Sequence, residues 1–343
     1  MNEYKKCNLC PRMCGVDRTN GMTGFCGATS DVRAARAALH FWEEPCISRE
    51  SGSGTVFFSG CNMRCVYCQN QEISRAVFQA ENLNEEPGQK PILRGRVVSP
   101  ERLTEIYFEL AEKGANNINL VTGDIYLPSI SVSIEKAKGQ GFHLPFLLNT
   151  SSYVNVDTLR RMDGLIDIYL ADMKYIREED AVRYSAAPGY PDIAKAAIEE
   201  MVRQQPACVF SDHLIVGQGD LNSPNGTGEI GSLSSKENEK RMMKKGVIVR
   251  HLLLPGMLIQ AKMIVKYLYE KYGDSIYISL MNQYTPVAGL PSEKYPELGR
   301  RVTEYEYKSL VDYAARLGVT KGFMQIGETA KESFIPAFDC RGI

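Results

Sequence analysis

Ser59-Gly60-Cys61-Asn62-Met63-Arg64-Cys65-Val66-Tyr67-Cys68-Gln69-Asn70 follows directly on an apolar run, residues 55–59, that reads as a strand. Three cysteines at C-x3-C-x2-C can fold round one inorganic core on a single loop. Zinc takes four protein ligands in structural sites and three in catalytic ones, typically with His or a carboxylate among them. A 4Fe–4S cluster ordinarily takes four thiolates. Three thiolates leave one iron open to a ligand from outside the chain, so this loop reads as a reactive site.

Outward from the loop, short apolar runs alternate with helical stretches. The strand expectations fall on residues 55–59, 117–122, 145–150, 167–174, 247–254 and 276–282, with a shorter one at 322–326. Ser99-Pro100 supplies an N-cap with proline at the first helical position, ahead of Leu103, Ile106, Tyr107 and Leu110 at helical spacing, and Gly114 ends that helix. Thr303 and Glu306 have capping-box spacing before Tyr307, Leu310, Val311 and Ala314, and Gly318 closes that helix. Strand–helix repetition predicts an α/β fold with a parallel sheet and right-handed crossovers. The strands begin apolar and end polar, at Thr122 and Asp124, Asn149 and Ser151, Asp172 and Lys174, Arg250 and His251, and Asn282 and Gln283. Chemistry in such sheets gathers at the carboxyl ends of the strands, so five polar ends in series predict one shared site. Asp172 and Lys174 are two apart and point to one face.

Composition narrows the function. The 343 residues are 44% hydrophobic and 24% charged, and 40 Lys+Arg against 41 Asp+Glu leave a net charge of −1. No net field recruits nucleic acid or an anionic membrane. The longest apolar stretch, 252–259, is broken by Pro255 and Gly256, so no spanning helix is expected. The N-terminus has no apolar h-region, and the expectation is a cytoplasmic protein without a secretory signal. Ten cysteines in that setting read as metal ligands or catalytic thiols rather than disulfides, and eight of them lie within the first 68 residues. Cys7, Cys10, Cys14 and Cys26 place four thiols in a 20-residue span, which suits structural zinc or an auxiliary iron–sulfur cluster. Cys46, Cys208 and Cys340 stand alone and read as small core hydrophobes. Residues 79–96 and 205–245 look inserted, and the basic patch Lys240-Arg241 with Lys244-Lys245 reads as solvated surface.

The C-x3-C-x2-C loop after a first strand resembles the signature of the radical S-adenosylmethionine (SAM) superfamily. Residues 52–61, Cys68-Gln69-Asn70 and Glu72-Ile73-Ser74, with 116–122, 167–174, 249–256 and 279–284, are similar to pyruvate formate-lyase activating enzyme-like proteins, in the branch of uncharacterised members with a cysteine-rich N-terminus. That resemblance implies a partial (βα)6 barrel over 53–285, a Cys-rich N-terminal extension over 1–52, and a C-terminal helix and tail over 286–343 packed on the barrel. It implies a 4Fe–4S cluster on Cys61, Cys65 and Cys68 and a bound SAM, cleaved by one electron to methionine and a 5′-deoxyadenosyl radical. Tyr67 then corresponds to the residue near the adenine, Asp172 and Lys174 to the Asp-x-Lys pair near the SAM carboxylate and ribose, and His251 to a polar residue reaching SAM from a later strand. The family's Gly-Gly-Glu after the second strand is here Val121-Thr122-Gly123-Asp124, with Asp124 one methylene short, and an Asp after the third strand is Asn149. The implied partners are an electron donor of flavodoxin or ferredoxin type and a glycyl-radical enzyme whose glycine loses hydrogen. The alternatives are another peptide or small-molecule substrate, or a non-enzymatic metal-binding sensor.

Overall fold

Strands rich in Val, Ile, Leu and Phe need cover on both faces, and a sheet flanked by helices supplies it. The computed structural model describes residues 2–76, 92–211, 227–229, 241–325 and 336–343. Its strands are β1 (Val32–His40), β2 (Ser53–Phe58), β3 (Arg96–Val98), β4 (Ile118–Val121), β5 (Phe146–Thr150), β6 (Ile168–Asp172), β7 (Val209–Phe210), β8 (Thr227–Glu229), β9 (Met243–Leu252), β10 (Tyr277–Met281) and β11 (Gly322–Gln325). The helices are α1 (Gln71–Ser74), α2 (Pro100–Glu112), α3 (Leu127–Gly139), α4 (Val156–Arg160), α5 (Glu178–Ser185), α6 (Tyr190–Gln204), α7 (Leu258–Tyr272) and α8 (Glu304–Leu317).

One sheet runs in the order β3-β1-β2-β4-β5-β6-β9-β10-β11-β8, with β7 pairing on β9. From β2 through β11 the neighbours are parallel, joined by helical crossovers. This is the α/β fold expected, a mostly parallel sheet consistent with a partial radical SAM barrel, behind a Cys-rich N-terminus. The expected strands appear as β2, β4, β5, β6, β9, β10 and β11; Ile326, at the end of the last one, lies outside the described residues. Both expected caps form: Ser99 accepts from the Arg102 amide, and Thr303 and Glu306 close a reciprocal capping box. β1 was not anticipated; it pairs antiparallel with β2 and carries β3 on its other side. Of the two inserted stretches, 79–91, 212–226 and 230–240, including Lys240 of the basic patch, lie outside the described residues. Among the described residues no helix is long and apolar enough to cross a membrane.

Alternation along the parallel strands sorts side chains into two cores. Leu147, Ile168, Leu170, Ile248, Tyr277 and Phe323 pack inside the curve of the sheet with Cys46 and Ile47. Leu148, Tyr169, Ala171, Val247, Val249, Ile278 and Leu280 pack outward against the helices. The inner space is plugged by the segment between β1 and β2. Asn117 Nδ2 donates to the Ile47 carbonyl at 2.8 Å, Asn116 Nδ2 to Ser48 at 2.7 Å, and the Met243 amide to Cys46 at 3.0 Å.

Candidate active site

The cysteine loop leaves the carboxyl end of β2 through Gly60, whose φ is +91°. A Cβ there would stand 2.9 Å from Leu93 Cδ1 and 3.0 Å from the Cys26 carbonyl oxygen, so glycine is required by both backbone and space. Beyond it the loop is braced against α5. The Arg64 amide donates to Ser185 at 2.9 Å and the Val66 amide to Tyr184 at 2.8 Å. Asn62 Nδ2 donates to the Tyr153 carbonyl at 2.6 Å, and Arg64 Nη1 folds back onto the Cys61 carbonyl at 2.7 Å. Cys61, Cys65 and Cys68 all line one cavity of about 270 Å³.

The surroundings of the three thiols differ. Ser185 Oγ donates to Cys65 Sγ at 3.0 Å, and the same hydroxyl meets Tyr175, which meets the Tyr67 hydroxyl; both distances are 2.7 Å. Burial pushes the Cys61 and Cys65 thiols up, and the sulfurs raise one another further; the Lys174 ammonium pulls Cys65 back. Tyr67 is raised well above the ordinary phenol range by burial and by Cys65. It belongs to a shell with Tyr153, Tyr175, Tyr184, Tyr190, Tyr284 and Tyr295 that packs around the loop.

Across the cavity stand Asp172, Lys174 and Arg250. Lys174 Nζ lies 2.6 Å from Asp172 Oδ2, and Arg250 Nε lies 3.2 Å from Asp172 Oδ1. Arg250 Nη2 also donates to Asn149 Oδ1 at 2.6 Å and Nη1 to Glu43 Oε2 at 3.0 Å. Burial would raise the Asp172 carboxyl, but Lys174 and Arg250 hold it below its ordinary value. Burial would likewise lower Lys174; Asp172 and Cys65 reverse that and keep it charged. The Tyr190 hydroxyl ties the strand ends together, its one proton shared between the Ser151 and Asp172 carbonyls at 2.9 Å each while its oxygen accepts from the Lys174 amide at 2.9 Å.

Of the residues singled out from sequence, the structure brings Cys61, Cys65, Tyr67, Cys68, Asn149, Asp172 and Lys174 onto this cavity. Asp124 and His251 are not in its lining. The reason at His251 is strand parity: Ile248 and Arg250 point inward, so His251 points outward with Val247 and Val249. Its Nδ1 donates to the Met173 carbonyl at 2.8 Å, its buried Nε2 has no partner among the described residues, and burial lowers it to about 4. Asp124 is turned into the sheet, takes the Thr150 hydroxyl, and is raised by burial to about 6. Sequence reasoning placed Arg250 at a strand end but gave it no role, although its parity with Ile248 would have chosen it over His251. Glu43 and Glu44 were missed, because they lie in a segment without periodicity. Both are buried and line the cavity; burial raises Glu44, whose Oε2 has no partner among the described residues. Cys7, Cys10, Cys14 and Cys26 come together on the far side of the cysteine loop, around a separate small cavity.

Among the described residues no group of three His, Cys, Asp or Glu is gathered closely enough to hold a single metal ion. Three thiols spaced round the rim of a roomy cavity suit a larger inorganic core, in which each thiolate binds its own iron. The opposite rim offers an ammonium, a guanidinium and a carboxylate, the groups that a zwitterionic amino acid moiety needs. The donor set therefore fits a cluster together with SAM.

The chain is similar to several known proteins. The chain is 25% identical over 315 residues to an uncharacterized protein of Methanocaldococcus jannaschii, covering 92% of this chain and 76% of that one. Streptococcus suis SuiB bound to S-adenosylmethionine is similar at a TM-score of 0.42 and 10% identity, over 78% of this chain and 47% of SuiB. The FeFe-hydrogenase maturase HydG from Carboxydothermus hydrogenoformans is similar at a TM-score of 0.40 and 14% identity, over 80% of this chain and 59% of HydG. This chain thus spans about half the length of these solved structures. The family match is at superfamily level and does not single out the activase-like branch. It covers residues 55–222, and the chain carries a radical SAM superfamily domain, which implies a 4Fe–4S cluster and SAM.

Proposed function

We propose that this chain is a radical SAM enzyme in which Cys61, Cys65 and Cys68 hold a 4Fe–4S cluster and the facing rim holds SAM, and that it abstracts hydrogen from a glycine of a partner protein. Bound there, cluster and SAM supply a 5′-deoxyadenosyl radical by reductive cleavage of the sulfonium C–S bond, the electron coming from a carrier of flavodoxin or ferredoxin type. The observation that carries the reading is the sharing of one cavity by the three thiols and the Asp172–Lys174–Arg250 group.

The chain's own residues have separable tasks. In this reading Lys174 meets the SAM carboxylate, and Asp172 an ammonium or ribose hydroxyl. Asn149 offers an uncharged amide at the same rim. Tyr67 presents a ring to the adenine, with its hydroxyl tied to Tyr175 so that the face stays fixed. The tyrosine shell packs behind the loop and walls that side of the cavity, where oxygen would quench the radical. Asp124 and His251, held outside the cavity, act by supporting the strand ends rather than by touching SAM.

Anaerobic reconstitution with dithionite and SAM tests the reading, with 5′-deoxyadenosine as product. Cys61→Ala, Cys65→Ala and Cys68→Ala should each abolish it. Wild-type protein that carries an intact cubane and yields no 5′-deoxyadenosine would overturn it. Peptides bearing α-deuterated glycine test the substrate: deuterium should appear in the 5′-deoxyadenosine, and cleavage without transfer would point to a different peptide or a small molecule.

A further inference from the structure

The segment before β1 contains a buried charge that the cavity described above does not explain. Arg18 is 1% exposed, among the most buried large side chains of the protein. Its Nη1 donates to the Ile125 carbonyl at 2.8 Å and lies 3.8 Å from Cys7 Sγ, while Nε and Nη2 donate to Thr29. Its other neighbours are the ring faces of Tyr4 and Tyr126, at 4.6 and 5.5 Å. Among the described residues no carboxylate pairs with it; the titratable groups that reach it are the thiols of Cys26 and Cys7 and the phenol of Tyr4, and burial pushes Cys26 and Tyr4 up, toward their neutral forms. A guanidinium taken out of water without a counter-ion is strongly disfavoured.

The thiols supply the answer. Cys7, Cys10, Cys14 and Cys26 line one small cavity together with Arg18. The chain is wound to put them there: the Cys7 amide donates to Val16 at 3.0 Å, the Gly15 amide to Cys7 at 2.9 Å, and the Met13 amide to Cys10 at 3.0 Å. Cys14 folds over Gly24, where a Cβ would sit 2.7 Å from the Cys14 sulfur. Cys7, Cys10 and Cys26 are buried, and Cys14 is exposed at the edge. Free thiols would leave Arg18 uncompensated. Four thiolates around a thiophilic metal outweigh the metal's positive charge, giving an anionic centre that matches a buried guanidinium.

We infer that Cys7, Cys10, Cys14 and Cys26 form a second, tetrathiolate metal centre, of zinc or of an iron–sulfur cluster, whose charge Arg18 balances. The four sulfurs stand round the cavity rather than drawn to one point, so loading the centre pulls Cys14 inward from its exposed position. The centre is docked on the radical loop. Phe25, next to Cys26, lies between Arg12 and Arg64, whose guanidinium carbons stand 3.6 and 4.3 Å from its ring centroid. Arg12 Nε donates to the Asn62 carbonyl at 2.9 Å, and Arg64 reaches the Phe25 carbonyl. The second centre therefore sets the position of the Cys61–Cys68 loop.

The test uses the full chain with Cys61, Cys65 and Cys68 all changed to alanine, so that it stands apart from the radical chemistry. This variant is loaded without oxygen, either with ferrous iron and sulfide or with zinc, then desalted; circular dichroism confirms the fold. Retention of about one zinc per chain, or of about four irons with cluster absorption, is expected, and the arm that gives it identifies the centre. The further changes Cys7→Ser, Cys10→Ser, Cys14→Ser and Cys26→Ser should abolish retention. A folded triad-free chain that holds neither metal overturns the inference, as does metal that survives the serine changes. If the serine variants fail to fold, alkylation of the loaded triad-free chain decides. Cys14 protected until a chelator strips the metal supports the centre, and Cys14 equally reactive before and after stripping overturns it.

Discussion

Glu43 Oε2 and Arg250 Nη1 lie 3.0 Å apart across 207 residues of chain, joining the segment between β1 and β2 to the carboxyl end of β9. The pair is almost fully withdrawn from solvent, with side-chain exposures of 8% and 12%. Such a pair gains little over an apolar one but is costly to break, because the survivor stays buried and charged.

Arg250→Leu should therefore destabilise the protein by about 3–5 kcal/mol, since it strands the buried Glu43 and leaves Asp172 with Lys174 alone. Glu43→Gln should cost less, because the guanidinium keeps Asp172. Urea unfolding of the two variants and wild type checks this, and an unshifted midpoint for Arg250→Leu would contradict the network.

Lys174→Met removes the ammonium that faces both Asp172 and Cys65. Iron content should stay at the wild-type level, because no cysteine is touched. SAM affinity should fall about tenfold, or about 1.4 kcal/mol, as read by anaerobic calorimetry on reconstituted protein. Loss of iron instead would make Lys174 part of the cluster's support.

Acid titration should separate two buried groups of opposite sign. His251 falls from 6.5 unfolded to about 4 folded, so its contribution is complete above pH 6.5 and is lost as pH drops toward 4. Asp124 rises from 3.8 to about 6, and its penalty is relieved over nearly the same interval as the carboxyl protonates. The two effects oppose each other, each worth about 3 kcal/mol at the limit. In metal-free protein, His251→Gln should gain stability relative to wild type from pH 6 to 4, and Asp124→Asn should lose stability relative to wild type. Denaturant midpoints at the two pH values read both signs.

Glu306 combines three roles at the start of α8. It accepts from the Gly256 amide at 2.8 Å, the Thr303 amide at 2.9 Å and Arg300 at 2.7 Å, and these partners hold its carboxyl far below the usual range. Glu306→Ala should cost about 2 kcal/mol, with the difference from wild type vanishing as pH falls and the carboxylate protonates. Thermal unfolding at pH 7 and at acid pH checks both statements.

The legible part of this protein is local in origin. The alternation of apolar runs with capped helices predicted the parallel sheet, because Ser99-Pro100 and Thr303-x-x-Glu306 act on their own neighbours and need nothing distant. The C-x3-C-x2-C loop was legible for the same reason: its ligands sit within eight residues. Asp172 and Lys174 followed from strand periodicity, and that periodicity, carried one step further, also separates Arg250 from His251.

β1, the plug at residues 43–48 and the Glu43–Arg250 pair were not legible. Whether a polar residue at a strand end faces a cavity or a helix depends on register against partners far away in the chain, and a shift of one residue reverses it. The same holds for Arg18. A single arginine among loop residues carries no pattern, and only the fold shows that it is buried, without a carboxylate, against cysteines. The amino-acid sequence alone thus determined the fold class and the thiols of the radical loop, through short-range periodicity and spacing. Tertiary structure decided which charges meet and which stay apart, because electrostatic pairing in a buried site is set by distances between segments that the chain order does not encode locally.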